Sequence, residues 1–437
     1  MYLVLGFGKT GASFVRYLQE KELPFLIMDS RLNPPGLSQF SSFAKKNLLL
    51  GDFDENVLCK IDKVLVSPGI SYENKILVQA RTLKKQILTD IDIFCSETKT
   101  KTILVTGTNG KTTVVSMVGH LLKNMYANDK VVCCGNIGTP VLDTLSEGNT
   151  ISIIEVSSFH LEHSESIHSD IAVLLNISQD HLDRHLTMEK YIQIKQRILT
   201  NTNIGLIGSS SLDIRGLSKK KIYNIECLLE PLKRDLPSLI NQKWPFHEIE
   251  NLKAVIAIYI AMENLHTNFD LKNYYKTHLN LIKESISQIN SFKRLPHTYE
   301  LLGIQNGITF INDSKSTNLS SLEVALESSK KIYGKKKIIL ICGGDAKGQD
   351  FSKISTRNLN SIKQVIIFGK DKELILDKLF NRVKCSVAID LEEALNKSIS
   401  VSKKGETILF SPACASTDMF SNFKERGEKF KKLTGFN

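Results

Sequence analysis

Apolar and polar positions follow two periods along the chain. Short apolar runs end in turns rich in glycine, serine or aspartate, whereas other stretches place apolar residues at helical spacing, as with Phe14, Val15 and Leu18. Helical periodicity is clearest over residues 187–199 and 249–264. The predicted strands are residues 2–5, 24–31, 63–70, 102–105, 150–156, 171–177, 307–314, 336–345, 364–370 and 406–413. Strands alternating with helices predict an α/β fold with mostly parallel sheets.

The alternation occurs in three successive segments, which predicts three α/β domains. The chain has 437 residues, and a chain of that length usually divides into several domains because a single hydrophobic core does not grow so large. We place the predicted domains at residues 1–94, 95–290 and 291–437.

Composition narrows the class of protein. With 42% apolar and 24% charged residues the chain is typical of globular proteins, and no apolar run approaches the roughly 20 residues that cross a bilayer. The start, MYLVLGFGKTG, lacks the features of a secretion signal, so we expect a cytoplasmic protein without membrane insertion. Eight scattered cysteines without a C-x-x-C pair favour reduced thiols.

The net charge of +11 would suit nucleic-acid binding. The lysines, however, fall in short separate runs without interleaved aromatic residues, which favours solvated surface charge. No nucleic-acid partner is therefore expected, and a small polyanionic ligand is the better match to the charge.

Two glycine-rich loops follow predicted strands. Gly6, Gly8 and Gly11 form G-x-G-x-x-G, with Asp29 about 20 residues further on, the context of a nucleotide or dinucleotide site. The second loop, TGTNGKTT at residues 106–113, is shorter than the common G-x-x-x-x-G-K-[ST] pattern.

The shorter loop still predicts phosphate binding. Gly107 and Gly110 let backbone amides converge, and the following helix presents its positive end. Lys111 adds a cation, and Thr112 or Thr113 offers a hydroxyl to magnesium.

Charged residues follow the next two predicted strands. Glu155 ends a buried strand, where a metal ion or a structural salt bridge could partner its carboxylate. Asp180, His181, Asp183 and His185 follow the next strand, at the edge where open α/β sheets bind ligands.

Lys195 lies beside an apolar helix face. Tyr191, Ile194 and Ile198 are its neighbours at helical spacing. A snorkelling lysine with its ammonium in water is one interpretation. A functional lysine is the other.

Together these motifs resemble the Mur ligases of peptidoglycan synthesis, and most closely the branch that adds D-glutamate. The matching segments are TGTNGKTT, GNIGTP, EVSSFHLE, NISQDHLDRH, FINDSKSTN and SPACASTDMFSNFKERGEKF. The resemblance covers essentially the whole chain in the same order. It implies a Rossmann-like N-terminal domain, a central P-loop ATPase-like domain and a Rossmann-like C-terminal domain.

The resemblance implies an ATP-dependent amide ligase. ATP would phosphorylate the carboxylate of UDP-N-acetylmuramoyl-L-alanine, and the amine of D-glutamate would displace phosphate from the acyl phosphate. Two Mg²⁺ ions and a monomeric protein are implied. Positioning and charge neutralisation carry such chemistry.

The resemblance also implies residue roles. The catalytic positions are Lys111, His181 and Lys195, with Lys195 carbamylated by CO2. The metal positions are Thr112, Glu155, His181 and Lys195. The ATP-binding positions are Gly107, Thr108, Asn109, Gly110, Lys111, Thr112, Thr113, Asn251, Asp313 and Lys315. The substrate-binding positions are Lys9, Thr10, Asp29, Ser30, Arg31, Ser67, Pro68, Gly69, Asn136, Lys347, Ser416 and Phe423, of which Lys347, Ser416 and Phe423 would take D-glutamate.

Two positions depart from the family pattern. Thr298 stands in LPHTYE where the family usually has arginine, and Glu248 stands in HEIEN where asparagine is commoner. Threonine cannot replace the fixed donors of a guanidinium. Either ATP binding is weaker, or Lys293 or Arg294 takes the role.

Three alternatives stay open. The chain could be another Mur ligase or a folylpolyglutamate synthase-type ligase. An NAD-linked oxidoreductase would use the first loop but leave Lys111, His181 and Lys195 without roles. A catalytically idle nucleotide sensor is the third, since Thr298 departs from the family.

Overall fold

A computed structural model describes residues 1–40, 47–51, 54–164, 167–208, 221–240, 244–267, 274–334 and 337–436. The strands are β1 (Tyr2–Leu5), β2 (Phe25–Asp29), β3 (Leu48–Leu50), β4 (Lys63–Val66), β5 (Gln86–Leu88), β6 (Lys101–Thr106), β7 (Val131–Gly135), β8 (Ile151–Glu155), β9 (Ser169–Leu174), β10 (Thr202–Ile207), β11 (Lys221–Asn224), β12 (Glu300–Gln305), β13 (Ile308–Asn312), β14 (Ile338–Gly343), β15 (Ile362–Phe368), β16 (Cys385–Val387) and β17 (Thr407–Phe410).

Helices connect these strands. The α-helices are α1 (Lys9–Glu20), α2 (Lys75–Thr82), α3 (Asp90–Glu97), α4 (Lys111–Met125), α5 (Ser158–His163), α6 (Leu182–His185), α7 (Met188–Gln196), α8 (Ile225–Leu229), α9 (Leu236–Leu239), α10 (Phe246–Thr267), α11 (Tyr274–Asn290), α12 (Leu319–Tyr333), α13 (Thr356–Leu359), α14 (Lys372–Leu379), α15 (Leu391–Val401) and α16 (Phe423–Thr434). Short 3-10 helices lie at Pro35–Gln39, Glu55–Lys60, Val141–Thr144, Arg197–Leu199, Glu230–Leu232 and Phe351–Lys353.

The chain packs into two compact units. The first comprises Met1–Ile177, Arg184–Gln242 and Asn251–Phe292, and the second comprises Ser178–Asp183, Lys243–Glu250 and Lys293–Asn437. The first unit contains two sheets and the second contains one.

The first sheet is parallel throughout. Its order is β3-β2-β1-β4-β5, so β1 lies in the centre. Helix α1 follows β1 directly and buries Phe14, Val15 and Leu18, as the helical spacing predicts. The loops after β1, β2 and β4 therefore meet at one edge of this sheet.

The second sheet is also parallel, with the order β11-β10-β9-β6-β8-β7. One cluster of buried side chains includes Phe14 from α1, Leu104 from β6 and Leu174 from β9. The first two sheets thus share hydrophobic core, which explains why they form one compact unit.

The third sheet, in the second unit, has the order β12-β13-β17-β14-β15-β16. Strand β12 is antiparallel to β13, and the other neighbours are parallel. The loops after β13, β17 and β14 meet at one edge. These sheets confirm the predicted α/β fold.

Within the described part of the chain, no helix is both long enough and apolar enough to cross a membrane.

Candidate active site

The loop between β6 and α4 has the geometry of an anion-binding site. Gly110 adopts the left-handed conformation, with φ of 83°, and precedes the first turn of α4. The backbone N–H groups of Thr108 and Asn109 donate to the carbonyl and side-chain oxygens of Asn176, both at 2.9 Å. Because Asn176 follows β9, the loop is tied to the neighbouring strand. The helix N-terminus directs backbone N–H groups and a positive dipole end toward the loop.

The two loop glycines permit close approach. A Cβ atom at Gly110 would lie 2.4 Å from Oδ1 of Asn251. A Cβ at Gly107 would lie 3.0 Å from Cβ of Leu175. Asn251, predicted from the sequence to contact ATP, therefore lies against the phosphate loop.

Lys111 folds back over this loop. Its Nζ donates to the carbonyl oxygens of Gly107 and Thr108, both at 2.8 Å. Thr113, by contrast, is buried. The structure thus holds the Lys111 ammonium at the loop, as expected for a cation that meets phosphate.

Glu155 organises the edge beside the loop. Its side chain is 2% exposed at the end of β8. One carboxylate oxygen accepts a hydrogen bond from the Thr112 hydroxyl, and the other accepts one from the Asn136 amide, both at 2.8 Å. A carboxylate and a hydroxyl are hard oxygen donors, which Mg²⁺ prefers. The arrangement brings together three residues that the sequence assigned separately to metal and substrate.

Lys195 is buried rather than snorkelling. Its side chain is 1% exposed, and Nζ donates to the Gly107 carbonyl at 2.8 Å. Nζ also lies 3.5 Å from the Thr106 hydroxyl and 4.9 Å from the centroid of the Tyr191 ring. The interpretation that places this ammonium in water is therefore wrong, since the amine reaches the phosphate loop.

His181 belongs to the second unit. Its backbone is left-handed, with φ of 52°, and its N–H donates to Oδ1 of Asp180 at 2.9 Å. Nε2 lies 3.7 Å from Oδ2 of the same carboxylate, which also accepts from Asn318 at 3.0 Å. Among the described residues, no group of three or more His, Cys, Asp or Glu side chains could hold a metal ion.

The loop after β1 is built for a tight turn and close helix packing. Gly6 has φ of 90°, and a Cβ at Gly11 would lie 2.1 Å from the Gly6 carbonyl oxygen. A Cβ at Gly8 would meet nothing within 4 Å. The first and third glycines are thus required by the fold, whereas the second leaves space beside the helix N-terminus.

Asp29 supports this loop from within. It accepts the Phe7 N–H at 2.6 Å and holds the Arg31 guanidinium at 2.6 and 2.9 Å. Burial acts to raise the pKa of Asp29, but these hydrogen bonds bring it below its usual value. The predicted substrate residue thus orients the loop and the half-exposed Arg31, while Ser30 is exposed beside it.

The remaining predicted substrate residues of the first unit lie at the edge of the same sheet. The Ser67 hydroxyl donates to the Gly6 carbonyl at 2.8 Å, and Pro68 and Gly69 follow it. Thr10 lies in the first turn of α1, next to Lys9. The Lys9 ammonium contacts the carbonyl of Gly138, in the loop that carries Asn136.

In the second unit, predicted residues lie after three neighbouring strands. Asp313 and Lys315 follow β13, Lys347 follows β14, and Ser416 and Phe423 follow β17. Because β13, β17 and β14 are parallel neighbours, these residues lie at one edge of the sheet. The structure therefore brings the residues that the resemblance assigns to ATP and those that it assigns to D-glutamate to the same edge.

Individual contacts shape this edge. Burial raises the pKa of Asp313 to about 7, although the Ser411 hydroxyl and the Tyr299 N–H donate to it at 2.8 and 3.0 Å. The Lys315 ammonium lies 5.9 Å from the centroid of the Phe423 ring. Lys347 has a left-handed backbone, with φ of 48°, and Ser416 is buried.

Family models match three successive parts of the chain. Residues 1–89 match the Mur ligase MurD-like N-terminal domain, residues 105–222 the Mur ligase middle domain, and residues 299–414 the Mur ligase glutamate ligase domain. UDP-N-acetylmuramoylalanine--D-glutamate ligase of Coxiella burnetii is 33% identical, with 98% of this chain and 97% of the relative covered. The ligase of the same name from Pseudomonas aeruginosa is 32% identical, with 98% and 96% covered.

The chain belongs to the Mur ligase family.

Solved structures agree with this fold. The UDP-N-acetylmuramate-alanine ligase MurC of Thermotoga maritima is 16% identical, with a TM-score of 0.55 and 99% of each chain covered. The MurF ligase of Thermotoga maritima, solved in complex with ADP, is 16% identical, with a TM-score of 0.55 and 99% of this chain and 93% of that chain covered.

The two departures of this Mur ligase from the sequence pattern of its family lie in the second unit, and one of them is paired. Glu248 is 2% exposed, and its Oε2 lies 3.0 Å from Nε of Arg294. Burial raises the pKa of Glu248 to about 7, and Arg294 opposes that rise. Thr298 carries a buried hydroxyl without a hydrogen-bond partner. Glu248 therefore orients the guanidinium of Arg294, whereas position 298, where the family usually has arginine, supplies none.

Sequence reasoning missed one residue in this Mur ligase, Arg184. Arg184 contacts the carbonyls of Pro68, Gly69 and Ile70. It lies within the quoted segment NISQDHLDRH. Its position in that motif was the available signal, but its partners are distant in sequence.

Proposed function

We propose that the protein is an ATP-dependent ligase that joins D-glutamate to UDP-N-acetylmuramoyl-L-alanine. The observation that carries this proposal is that four side chains lie at the glycine-rich loop of residues 106–113, namely those of Lys111, Thr112, Glu155 and Lys195. Full-length similarity to ligases of that name supports the choice of substrates. The proposal includes a synthesis of peptidoglycan precursors in the cytoplasm by a monomeric protein with domains at 1–94, 95–290 and 291–437.

In this proposal the phosphate loop binds ATP. The amides that begin α4 and the ammonium of Lys111 face the phosphates, with Asn251 beside Gly110. A substrate carboxylate oxygen attacks the γ-phosphorus, the bond from that phosphorus to the ADP oxygen breaks, and an acyl phosphate forms. The loop and Lys111 stabilise the negative charge of the transferring group.

The residues at the loop fit a magnesium ion. Thr112 supplies a hydroxyl and Glu155 a buried carboxylate, and such oxygen pairs bind Mg²⁺ together with water and nucleotide phosphates. Bound Mg²⁺ neutralises phosphate charge and polarises the phosphoryl group. We propose a second ion that is held through Lys195 and His181.

Lys195 is the proposed site of carbamylation. The neutral amine attacks the carbon of CO2, an N–C bond forms, and one proton leaves to solvent, so the side chain becomes an anion. Removing an amine from water disfavours its charged form, and Lys195 is 1% exposed. The modified side chain gains an oxygen ligand suited to magnesium.

The other predicted residues take the two substrates. Arg31, Lys9 and the Ser67–Gly69 turn lie at the carboxyl edge of the first sheet, suited to the UDP part. In the second unit, we assign Lys347, Ser416 and Phe423 to D-glutamate. Its amine attacks the acyl carbon, a C–N bond forms, phosphate leaves, and the amine releases its proton.

We further assign Asp313, Lys315 and Arg294 to ATP. Arg294 takes the role that an arginine at position 298 would serve, because Glu248 fixes its guanidinium. Lys293, the alternative, is exposed.

The function is tested by phosphate release from ATP with UDP-N-acetylmuramoyl-L-alanine and a panel of amino acids. D-glutamate should support the fastest release, and L-alanine, L-lysine and diaminopimelate should support little. Lys111→Ala should abolish release without changing the thermal midpoint. Faster release with another amino acid would refute the assigned acceptor, and retained activity in Lys111→Ala would refute the phosphate site.

A further inference from the structure

The turn that follows β4 is held by one guanidinium, that of Arg184, whose side chain is 14% exposed. Arg184 donates to the carbonyls of Gly69 at 3.2 Å and Pro68 at 3.3 Å, and it also contacts the carbonyl of Ile70. His163 Nε2 lies 2.9 Å from the same Ile70 carbonyl. Three successive carbonyls of the proposed substrate turn, residues 67–70, therefore depend on Arg184.

Glu162 fixes Arg184 in place. Its Oε2 accepts from Nε and Nη2 of Arg184 at 2.9 and 2.6 Å, and its side chain is 3% exposed. Burial acts to raise the pKa of Glu162, but the nearby His185 and the hydrogen bonds from Arg184 lower it to about 2. The carboxylate is thus charged at any pH at which the protein works.

The other oxygen of Glu162 lies near His185. His185 Nδ1 lies 3.6 Å from Oε1, and the His185 ring stacks on Tyr191 with centroids 5.1 Å apart. The Tyr191 hydroxyl is 3.2 Å from the Thr108 hydroxyl, in the phosphate loop. The same ring lies below Nζ of Lys195, with 4.9 Å from that atom to the ring centroid.

These contacts form a continuous path between two proposed binding loops. We propose that Arg184, Glu162, His185 and Tyr191 are positioning residues that couple occupation of the UDP-substrate turn to the geometry of the ATP phosphate loop. This inference rests on the proposed function, because that function identifies the two ligands as ATP and the UDP-linked substrate. A UDP-linked substrate that orders residues 67–70 would fix Arg184, and through Glu162 and His185 would fix Tyr191 against Thr108.

The path uses groups whose orientation is constrained. A guanidinium is planar and spreads its donors over several acceptors, so lysine cannot hold three carbonyls and a carboxylate at once. The ionised Glu162 is nearly buried, so its position follows that of Arg184. Tyr191 then carries two contacts to the phosphate loop region, by hydroxyl and by ring face.

The test is a pair of binding titrations on the full chain. A non-hydrolysable ATP analogue is titrated by calorimetry with and without UDP-N-acetylmuramoyl-L-alanine, and the ratio of the two dissociation constants is the coupling factor. We expect a factor of about fivefold or more in the native chain, within the usual range for coupled sites. Tyr191→Phe and Arg184→Lys should bring the factor close to one.

Matched controls separate coupling from general damage. Tyr17→Phe also removes one tyrosine hydroxyl that donates a hydrogen bond, in this case to Glu97. Arg382→Lys also removes a guanidinium that donates to three backbone carbonyls. Both should retain the native coupling factor. In steady state, Tyr191→Phe should raise the KM for ATP at saturating UDP-substrate and leave kcat within about twofold, since the chemical groups stay in place.

The outcomes distinguish the coupling from the function. A native chain that binds both ligands without coupling, or a Tyr191→Phe variant with the native factor, overturns the coupling and leaves the ligase proposal intact. Should the native chain bind neither ligand, the ligase proposal fails and the coupling fails with it. Tyr191→Phe decides the matter even where Arg184→Lys does not fold.

Discussion

Substitution of Arg294 by methionine tests the pairing with Glu248 and the proposed contact with ATP. Glu248 is 2% exposed and its pKa is raised to about 7, so it is largely ionised at pH 8 and largely protonated at pH 6. Removing one partner of a buried ion pair lowers the free energy of unfolding by about 3–5 kcal/mol. Because Arg294 is partly exposed, we expect a loss at the lower end of that range, about 3 kcal/mol, at pH 8. At pH 6 the protonated carboxyl needs no cation, so the loss should be smaller.

The sign of this pH effect follows from linkage. The folded pKa of Glu248 lies above its unfolded value, so the folded state binds more protons between pH of about 4.5 and 7, and stability falls as pH rises through that window. Without Arg294, which lowers this pKa, the decline extends to higher pH. The double variant Arg294→Met/Glu248→Gln removes the titrating group, so it should lose this pH dependence.

Urea unfolding at pH 6 and pH 8, followed by the fluorescence of the single tryptophan, Trp244, measures the effect. Trp244 lies in the same unit as Glu248 and Arg294, and it is buried. An equal loss of unfolding free energy at the two pH values would refute the reasoning about the pair.

Kinetics of the same variant test the contact with ATP. A hydrogen bond to a charged group is worth about 1.5–3 kcal/mol, so the KM for ATP should rise by about tenfold to 150-fold. Lys293→Met removes an adjacent exposed cation and should leave this KM unchanged. The assignment to Arg294 is refuted if Lys293→Met raises the KM and Arg294→Met does not.

Three further predictions address other parts of the molecule. Lys195→Ala should lose nearly all activity and regain part of it with acetate or formate, whereas activity equal to the parent would make the lysine structural. Gly11→Ala should lower the free energy of unfolding by about 1–3 kcal/mol in thermal unfolding, because its Cβ would lie 2.1 Å from the Gly6 carbonyl oxygen. Gly8→Ala should keep the stability of the parent and raise the KM for the UDP-linked substrate. An equal loss of stability in both variants would contradict this account of the loop. Burial raises the pKa of Asp90 to about 7, so the parent protein loses stability as pH rises from about 4 to 7. Asp90→Asn should therefore be more stable than the parent at pH 8 but not at pH 4. The same difference in stability at both pH values would contradict this account.

In the described part of the chain, the sequence predicted ten of the seventeen strands, most of them with continuous apolar runs, and it missed β7, β10 and β11 of the second sheet. All ten predicted segments overlap an observed strand, because a strand covered on both faces needs a continuous apolar run. Strands β3, β5 and β16 have three residues each and lie at sheet edges, where such short segments carry no detectable period. Strand β12 pairs antiparallel at another edge and contains glycine, which also weakens the pattern.

The site was predictable where function depends on local spacing. The phosphate loop is defined by a contiguous segment between one strand and one helix, so its geometry follows from the order of its residues. Asp29 shows what spacing leaves out, because the motif assigns it to substrate binding and only the structure shows that its carboxylate also holds Phe7 and Arg31. A motif therefore identifies a position more securely than it identifies what the side chain touches.

The two departures show why residue-by-residue comparison can misjudge a site. Taken alone, Thr298 looks like the loss of a cation and Glu248 like an unwanted buried charge. In the structure the buried carboxylate lies 3.0 Å from Arg294, a residue that the family pattern does not single out. A buried acid is costly without a cation, and a flexible arginine is poorly oriented without an acceptor, so each residue supplies what the other needs. Under the proposed function, Arg294 supplies the guanidinium that position 298 lacks, so we expect substitution of Arg294 to weaken ATP binding more than substitution of Thr298.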